Sequence, residues 1–333
     1  MFAPMLSVHE KVKIAVVGCG AVGSYYGAML CRDGHDVHFL LRSDYEAVWR
    51  AGVTIHSVHG DFHVHPKAAR RPEEIGIADI VIIALKTTAN DQFPKLLPSL
   101  VGPKTTVLTL QNGLANEEKL AELFPIDQIM GGLCFVCLNR TAPGVIHHIA
   151  HGIIVAGEFQ RPSQPRTHQI VEMFKHAYVP CRLAEDLERA HWEKLIWNIP
   201  FNGLGVGGSA GYEAVIAGKL APDFHPGKCL PSRELLDSGR WEKLLRELML
   251  EVIHAANHMG FDIPESAADH QIDRTRDMGA YFASTLIDFD RHQPLEIDSM
   301  FLEPLRRAQN AGMPMPRLKN LCEVLKQLEA RNR

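Results

Sequence analysis

Gly18, Gly20 and Gly23 spell G-x-G-x-x-G across Gly18-Cys19-Gly20-Ala21-Val22-Gly23, directly after the apolar run KIAVV. In a β-α-β unit the first glycine makes a tight turn, the second admits a pyrophosphate, and the third lets strand and helix pack closely. The helix that opens behind such a turn offers unpaired N–H groups and the positive end of its dipole to phosphate. The end of the following strand then separates two cofactors. An acid there holds the ribose hydroxyls of NAD, whereas a site for NADP tolerates no acid and supplies a guanidinium for the 2′-phosphate. The chain reads Leu41-Arg42-Ser43 at that place. Arg42 offers a planar fork for a phosphate, and Ser43 adds a hydroxyl. Asp44 reads as a helix cap. NADP(H) is therefore favoured, with a solvated surface cation as the other reading of Arg42.

Lys86 follows the run IVIIAL at a strand's carboxyl end, the edge where open α/β sheets bind nucleotides. It is placed to reach phosphate or ribose, or to face solvent. Gln111-Asn112-Gly113 follows TVLTL at a second such end. Asn-Gly is a turn signal; the functional reading sets the Asn112 amide beside the nicotinamide or a substrate carbonyl.

The second chemical group lies on a helix expected over 186–202. At 100° per residue, Lys194, Asn198 and Asn202 fall on one narrow stripe with His191 beside them. Trp192, Leu195, Ile196 and Ile199 fill one flank, and Ala190, Trp197 and Phe201 the other. A helix apolar nearly all round belongs inside, and polar groups carried inside need partners or a purpose. A lysine among amides there suits a general acid, since desolvation eases loss of its proton; a solvated surface stripe is the alternative. Pro200 is expected to kink the helix.

These residues need a scaffold. A length of 333 residues suits two domains, and 46% hydrophobic residues suit a globule. A formal net charge of −4, with 35 basic against 39 acidic residues, argues against a nucleic-acid binder. No apolar run approaches the roughly 20 residues of a membrane span, and the first residues do not form a secretory h-region. Seven scattered Cys fit reduced thiols in a cytoplasm. Strands are expected at 11–17, 36–41, 80–85, 106–110 and 129–136, with helices between most of them, hence a parallel sheet covered on both faces. Residues 145–159 read as a β-hairpin turning at His151-Gly152. No further strong strand is seen after Pro180. Helices are expected at 239–259, 266–288, 295–309 and 317–331. The fold class is α/β: a tail at 1–10, a Rossmann-type NADP-binding domain at 11–184, and an all-α domain at 185–333. Gly203 to Gly211 carries five Gly in nine residues, suiting a flexible loop or close helix packing. Residues 222–238 read as a surface excursion.

The chain resembles the ketopantoate reductase (2-dehydropantoate 2-reductase) family over almost its whole length. The motifs are the glycine run in KIAVVGCGAVGSYYGAML, Leu85-Lys86, Gln111-Asn112-Gly113, Trp192-Glu193-Lys194-Leu195 with Asn198 and Asn202, and Pro294-Leu295-Glu296-Ile297-Asp298. The resemblance implies a C-terminal domain of the 6-phosphogluconate dehydrogenase type and a small 2-oxo acid held in a cleft beside NADPH. Lys194 would protonate the carbonyl oxygen, Asn112 would sit near the nicotinamide, and Asn198 and Asn202 would hydrogen-bond the substrate. Glu296 would bind its hydroxyl or position the lysine, and Ser284 would hold the carboxylate. It implies pantoate formation on the route to coenzyme A, and a homodimer through the helical domain. Reduction of a different 2-oxo acid is the nearest alternative; a non-catalytic NADPH sensor is the alternative of another class. Tyr281 departs from the Asn that many members carry three residues before the serine. Cys134 and Cys137 form a lone C-x-x-C with His147, His148 and His151 downstream, and a metal is not expected. His56, His59, His63 and His65 read as a polar solvent face.

Overall fold

The structure, a computed structural model, describes residues 11–237 and 239–332; the tail expected at 1–10 lies outside them. Two compact units are present, one running to Asn112 and over Asn116–Ala190, the other taking Gly113–Ala115 and the chain from His191.

The first unit is built on one sheet of β1 (Lys13–Val17), β2 (Asp36–Leu40), β3 (Val53–Ser57), β4 (Phe62–Val64), β5 (Lys67–Ala69), β6 (Ile80–Ile83), β7 (Thr106–Thr109), β8 (Ile129–Ala142), β9 (Val145–Glu158) and β10 (Cys181–Leu183). The order is β4-β3-β9-β8-β7-β6-β1-β2-β5, with β10 on β9. Pairing is parallel from β5 through β8 and antiparallel within β8/β9 and β3/β4. Alternate residues of the central strands feed two cores. Ile14, Val16, Ile82 and Leu108 meet Tyr26 and Phe174 on one face. Ala15, Val17, Val81, Ile83 and Val107 meet Phe93 and Leu97 on the other. Burial on both faces is why these strands are continuously apolar rather than alternating.

Two expectations are corrected in this unit. Residues 145–159 are no hairpin by themselves: Val145–Glu158 is one strand, paired antiparallel with β8. His151 (φ 64°) and Gly152 (φ 125°) have turn-like backbone, yet they mark a register shift opposite Phe135 and Val136. A bulge and a turn use the same glycine, and here the bulge wins. A strand also follows Pro180, the three-residue β10, too short for a pattern to reveal.

In the second unit, helix Leu187–Gly207 continues past Pro200 and absorbs much of the glycine-rich stretch. A Cβ on Gly203 would lie 2.6 Å from Leu321 and 2.8 Å from Phe301, and one on Gly205 would lie 2.5 Å from Leu286. Close helix packing, not a loop, explains these glycines. The helix expected at 266–288 is instead Ser266–Arg276 and Ser284–Asp290. Between them Ser232 ties the backbone down, its hydroxyl donating to Gly279 O (2.9 Å) and accepting from Tyr281 N–H (3.1 Å). The excursion at 222–238 is exposed only at first; Cys229 and Leu235 are buried, and Ser232–Asp237 is helical. Gly239–His258 and Pro316–Asn332 complete the core.

Candidate functional site

In the sheet unit, β1 delivers the chain to Gly18 at φ +98°, where a Cβ would stand 2.3 Å from the Leu85 nitrogen. Gly23 is equally closed, a Cβ there meeting Gly18 O at 2.3 Å. Gly20 differs: nothing stands within 4 Å of its Cβ position. The outer two glycines thus serve the turn, and the middle one faces open space. Helix Ala21–Arg32 starts at Gly20 with no side chain capping it and no acid in its first turn, so its leading N–H groups and dipole are available to an anion. Burial first, then the nearby Asp44 carboxylate, push the Cys19 thiol well above its usual range. Ala21 and Val22 are half-buried on the helix's first turn.

At the end of β2, Arg42 and Ser43 are exposed and Asp44 is buried. Asp44 precedes helix Tyr45–Ala51 but its side chain makes no cap, correcting the expected role. Its carboxylate goes to Arg140 of β8, whose Nε donates to Oδ2 at 2.8 Å and whose terminal amine donates to Oδ1. Ser43 donates to Oδ1 at 2.9 Å. Burial raises the carboxyl's pKa, but the bonds from Arg140 and Ser43 outweigh it, and the net shift is downward. With its lone pairs committed, Asp44 has little to offer a ribose hydroxyl, while Arg42 stands exposed beside it. These residues fit a 2′-phosphorylated dinucleotide.

Lys86 is exposed beyond β6 and heads the 3₁₀ turn Thr87–Gln92. The close approach of Gly18 to Leu85 brings the glycine turn and this lysine's backbone together. Asn112 is half-buried past β7.

In the helical unit, the stripe on Leu187–Gly207 is buried, not solvated. His191, Lys194 and Asn198 are each 7% exposed and Asn202 is 2% exposed. Asn202 donates to Asn198 O (3.0 Å) and accepts from Thr285 N–H (3.1 Å), joining the stripe to the helix that begins at Ser284. Glu296, also buried, lies just before the five-residue π-helical turn Asp298–Leu302 rather than inside a helix. Gly113 and Leu114 pack on that turn. Leu114 N–H donates to Ser299 O at 2.9 Å, and Gly113, at φ +81°, leaves its Cβ position 2.4 Å from the same oxygen.

The pattern of ketopantoate reductase PanE/ApbA matches residues 14–161, and that of its C-terminal domain matches residues 228–329. A 2-dehydropantoate 2-reductase of Nostoc sp. is 39% identical, the match covering 96% of each chain. Among solved structures, a 2-dehydropantoate 2-reductase of Geobacter metallireducens is 44% identical with a TM-score of 0.86, over 94% of this chain and 99% of that one. One from Methylococcus capsulatus is 30% identical with a TM-score of 0.82, over 96% and 97%. The chain belongs to the ketopantoate reductase family.

In this ketopantoate reductase family member the candidate residues rest on others that pattern reading passes over. Gln111 Nε2 donates to Leu85 O (3.0 Å) and Asn90 Oδ1 (2.7 Å). Asn90 donates to Asn116 (2.9 Å), and Asn116 donates to Asn112 O (3.0 Å). This buried amide relay fixes the backbone beside Lys86 and at Asn112. Its available signal was three amide side chains near strand ends, too common a feature to single out. Arg140 was missed because its partner lies on a different element. Among the described residues no group of three or more His, Cys, Asp or Glu could hold a metal ion. His56, His59, His63 and His65 are exposed. Cys134 and Cys137 are free thiols on β8.

Proposed function

We propose that this chain reduces 2-dehydropantoate to pantoate with NADPH, on the route to pantothenate and coenzyme A. NADPH, when bound, supplies the hydride to the carbonyl carbon. Lys194 gives the proton to the carbonyl oxygen, so the C=O bond becomes CH–OH and the lysine leaves the step neutral. Burial supports this role, because a cation in a largely apolar wall stabilises a developing alkoxide more than water would. Glu296 binds the new hydroxyl or holds the lysine in place. Asn198, Asn202 and Ser284 hold the substrate, with Asn202 contributing through its remaining N–H. Gly18, Cys19, Gly20, Ala21, Val22 and Gly23 receive the pyrophosphate, Arg42 the 2′-phosphate, and Lys86 and Asn112 the nicotinamide half. The functional domains are taken as 11–184 for cofactor and 185–333 for substrate.

One observation carries the reading most: a lysine and two amides buried together on helix Leu187–Gly207, in a chain 39% identical to a 2-dehydropantoate 2-reductase. We assign the enzyme to the cytoplasm. No helix among the described residues is long and apolar enough to cross a membrane, and the cysteines are free thiols. A homodimer through residues 185–333 is proposed from the family resemblance, for sedimentation to check. The deciding experiment follows loss of reduced-nicotinamide absorbance with 2-dehydropantoate and a panel of other 2-oxo acids. Turnover is expected to be fastest with 2-dehydropantoate. Silence there with activity on another acid would move the substrate, and silence throughout with tight NADPH binding would favour a sensor.

A further inference from the structure

Arg140 lies on β8, near the tip of the β8/β9 hairpin, where nothing in the cofactor motif leads one to look. Its guanidinium grips Asp44 through two N–H groups, Nε to Oδ2 and Nη2 to Oδ1, a geometry that fixes orientation as well as charge. The Asp44 side chain is only 7% exposed, while Arg140 retains 35%. Asp44 stands two residues after Arg42, on the same strand end that must meet the adenosine ribose. It also lies near enough to the glycine turn to act on Cys19. A free carboxylate at this place would do two things: accept ribose hydroxyls, as NAD sites require, and repel a 2′-phosphate.

We infer that Arg140 is a specificity residue for the cofactor: by occupying the carboxylate of Asp44, it converts a strand end that would suit NADH into one that selects NADPH. This rests on the NADPH reading above. Arg140 acts through Asp44 and is a positioning residue. Lysine in its place would keep the charge but not the two-pronged grip. Ser43 and the Gly144 backbone also donate to Asp44. Both are neutral donors that leave the negative charge in place.

The test measures binding of each reduced cofactor to the substrate-free protein by nicotinamide fluorescence, with thermal melting as a check on folding. Arg140→Met should weaken NADPH by about tenfold, the scale of one uncompensated charge at short range, and leave NADH unchanged or tighter. Asp44→Asn in the same chain should return NADPH to within about threefold of the parent. Asp44→Asn alone should keep the preference for NADPH. Equal losses of both cofactors in Arg140→Met, unrelieved by Asp44→Asn, would make Arg140 a structural brace and overturn the inference. So would an unchanged NADPH-to-NADH ratio. If Arg140→Met does not fold, Arg140→Lys decides: an NADPH-to-NADH ratio that narrows and is restored by Asp44→Asn in the same chain supports the inference, and an unchanged ratio overturns it. A parent protein that binds NADH as tightly as NADPH would instead sink the cofactor reading itself.

Discussion

A lysine is almost never carried into a protein interior without a purpose, because its ammonium loses hydration that only well-placed neighbours replace. Lys194, with 7% of its surface exposed and a tryptophan and three aliphatic residues along one flank of its helix, meets that description. If it is the proton donor, Lys194→Ala removes a transition-state contact and leaves the pyrophosphate turn untouched. Turnover should fall by at least about a hundredfold, the lower range for a positioned general acid. NADPH affinity, measured by fluorescence, should stay within about threefold. Unchanged turnover would remove Lys194 from the mechanism. The stripe was legible in the sequence because three residues on one helix share a face by spacing alone. Asn202's second task was not legible: its Oδ1 receives Thr285 N–H from a distant helix, and no local pattern carries that partner's address. Asp44 fails the local rule for the same reason, its capping position being overruled by Arg140.

Elements were readable where their cause is local. The apolar strands, the helix after the glycine turn and its stop at Gly34 follow from composition and from a φ of +98° that glycine supplies. The glycine-rich stretch after Asn202 was ambiguous for a physical reason. Glycine weakens an isolated helix by about 1 kcal/mol relative to alanine, so a run of it looks like a loop. Packing reverses the sign. Leu321 and Phe301 are fully buried and stand 2.6 and 2.8 Å from where a Gly203 Cβ would sit. Gly203→Ala should therefore lower the melting temperature despite its better propensity, with overpacking costing about 1–3 kcal/mol. A rise in melting temperature would mean the core relaxes around the methyl group and that the glycine is not needed for packing. The break between the helices Ser266–Arg276 and Ser284–Asp290 has a similar origin, since Ser232 holds Gly279 and Tyr281 from outside the segment.

At the scale of the whole chain, the α/β-then-α division was visible because hydrophobic periodicity changes along the sequence. The sheet order was less so, since β3 is parallel to β9 and β10 joins β9 from beyond a helix, Pro165–His176. Long-range pairing is decided by which edges remain open once the local units have formed. Cofactor binding supplies a test at this scale that needs no substrate. Any ligand that binds the folded chain alone stabilises it by an amount set by its concentration over its dissociation constant, about 2.7 kcal/mol at a hundredfold excess. For a chain this large the shift in melting temperature is about 4 °C. NADPH at such a concentration should produce that shift, and NADH at the same concentration a smaller one. The gap measures the 2′-phosphate contact directly. In Arg42→Ala the gap should close, with the NADPH curve falling to meet the NADH curve. If both curves fall together, Arg42 supports the site generally rather than reading the 2′-phosphate. If neither moves, it is a solvated cation, and the discrimination must come from elsewhere along the strand end.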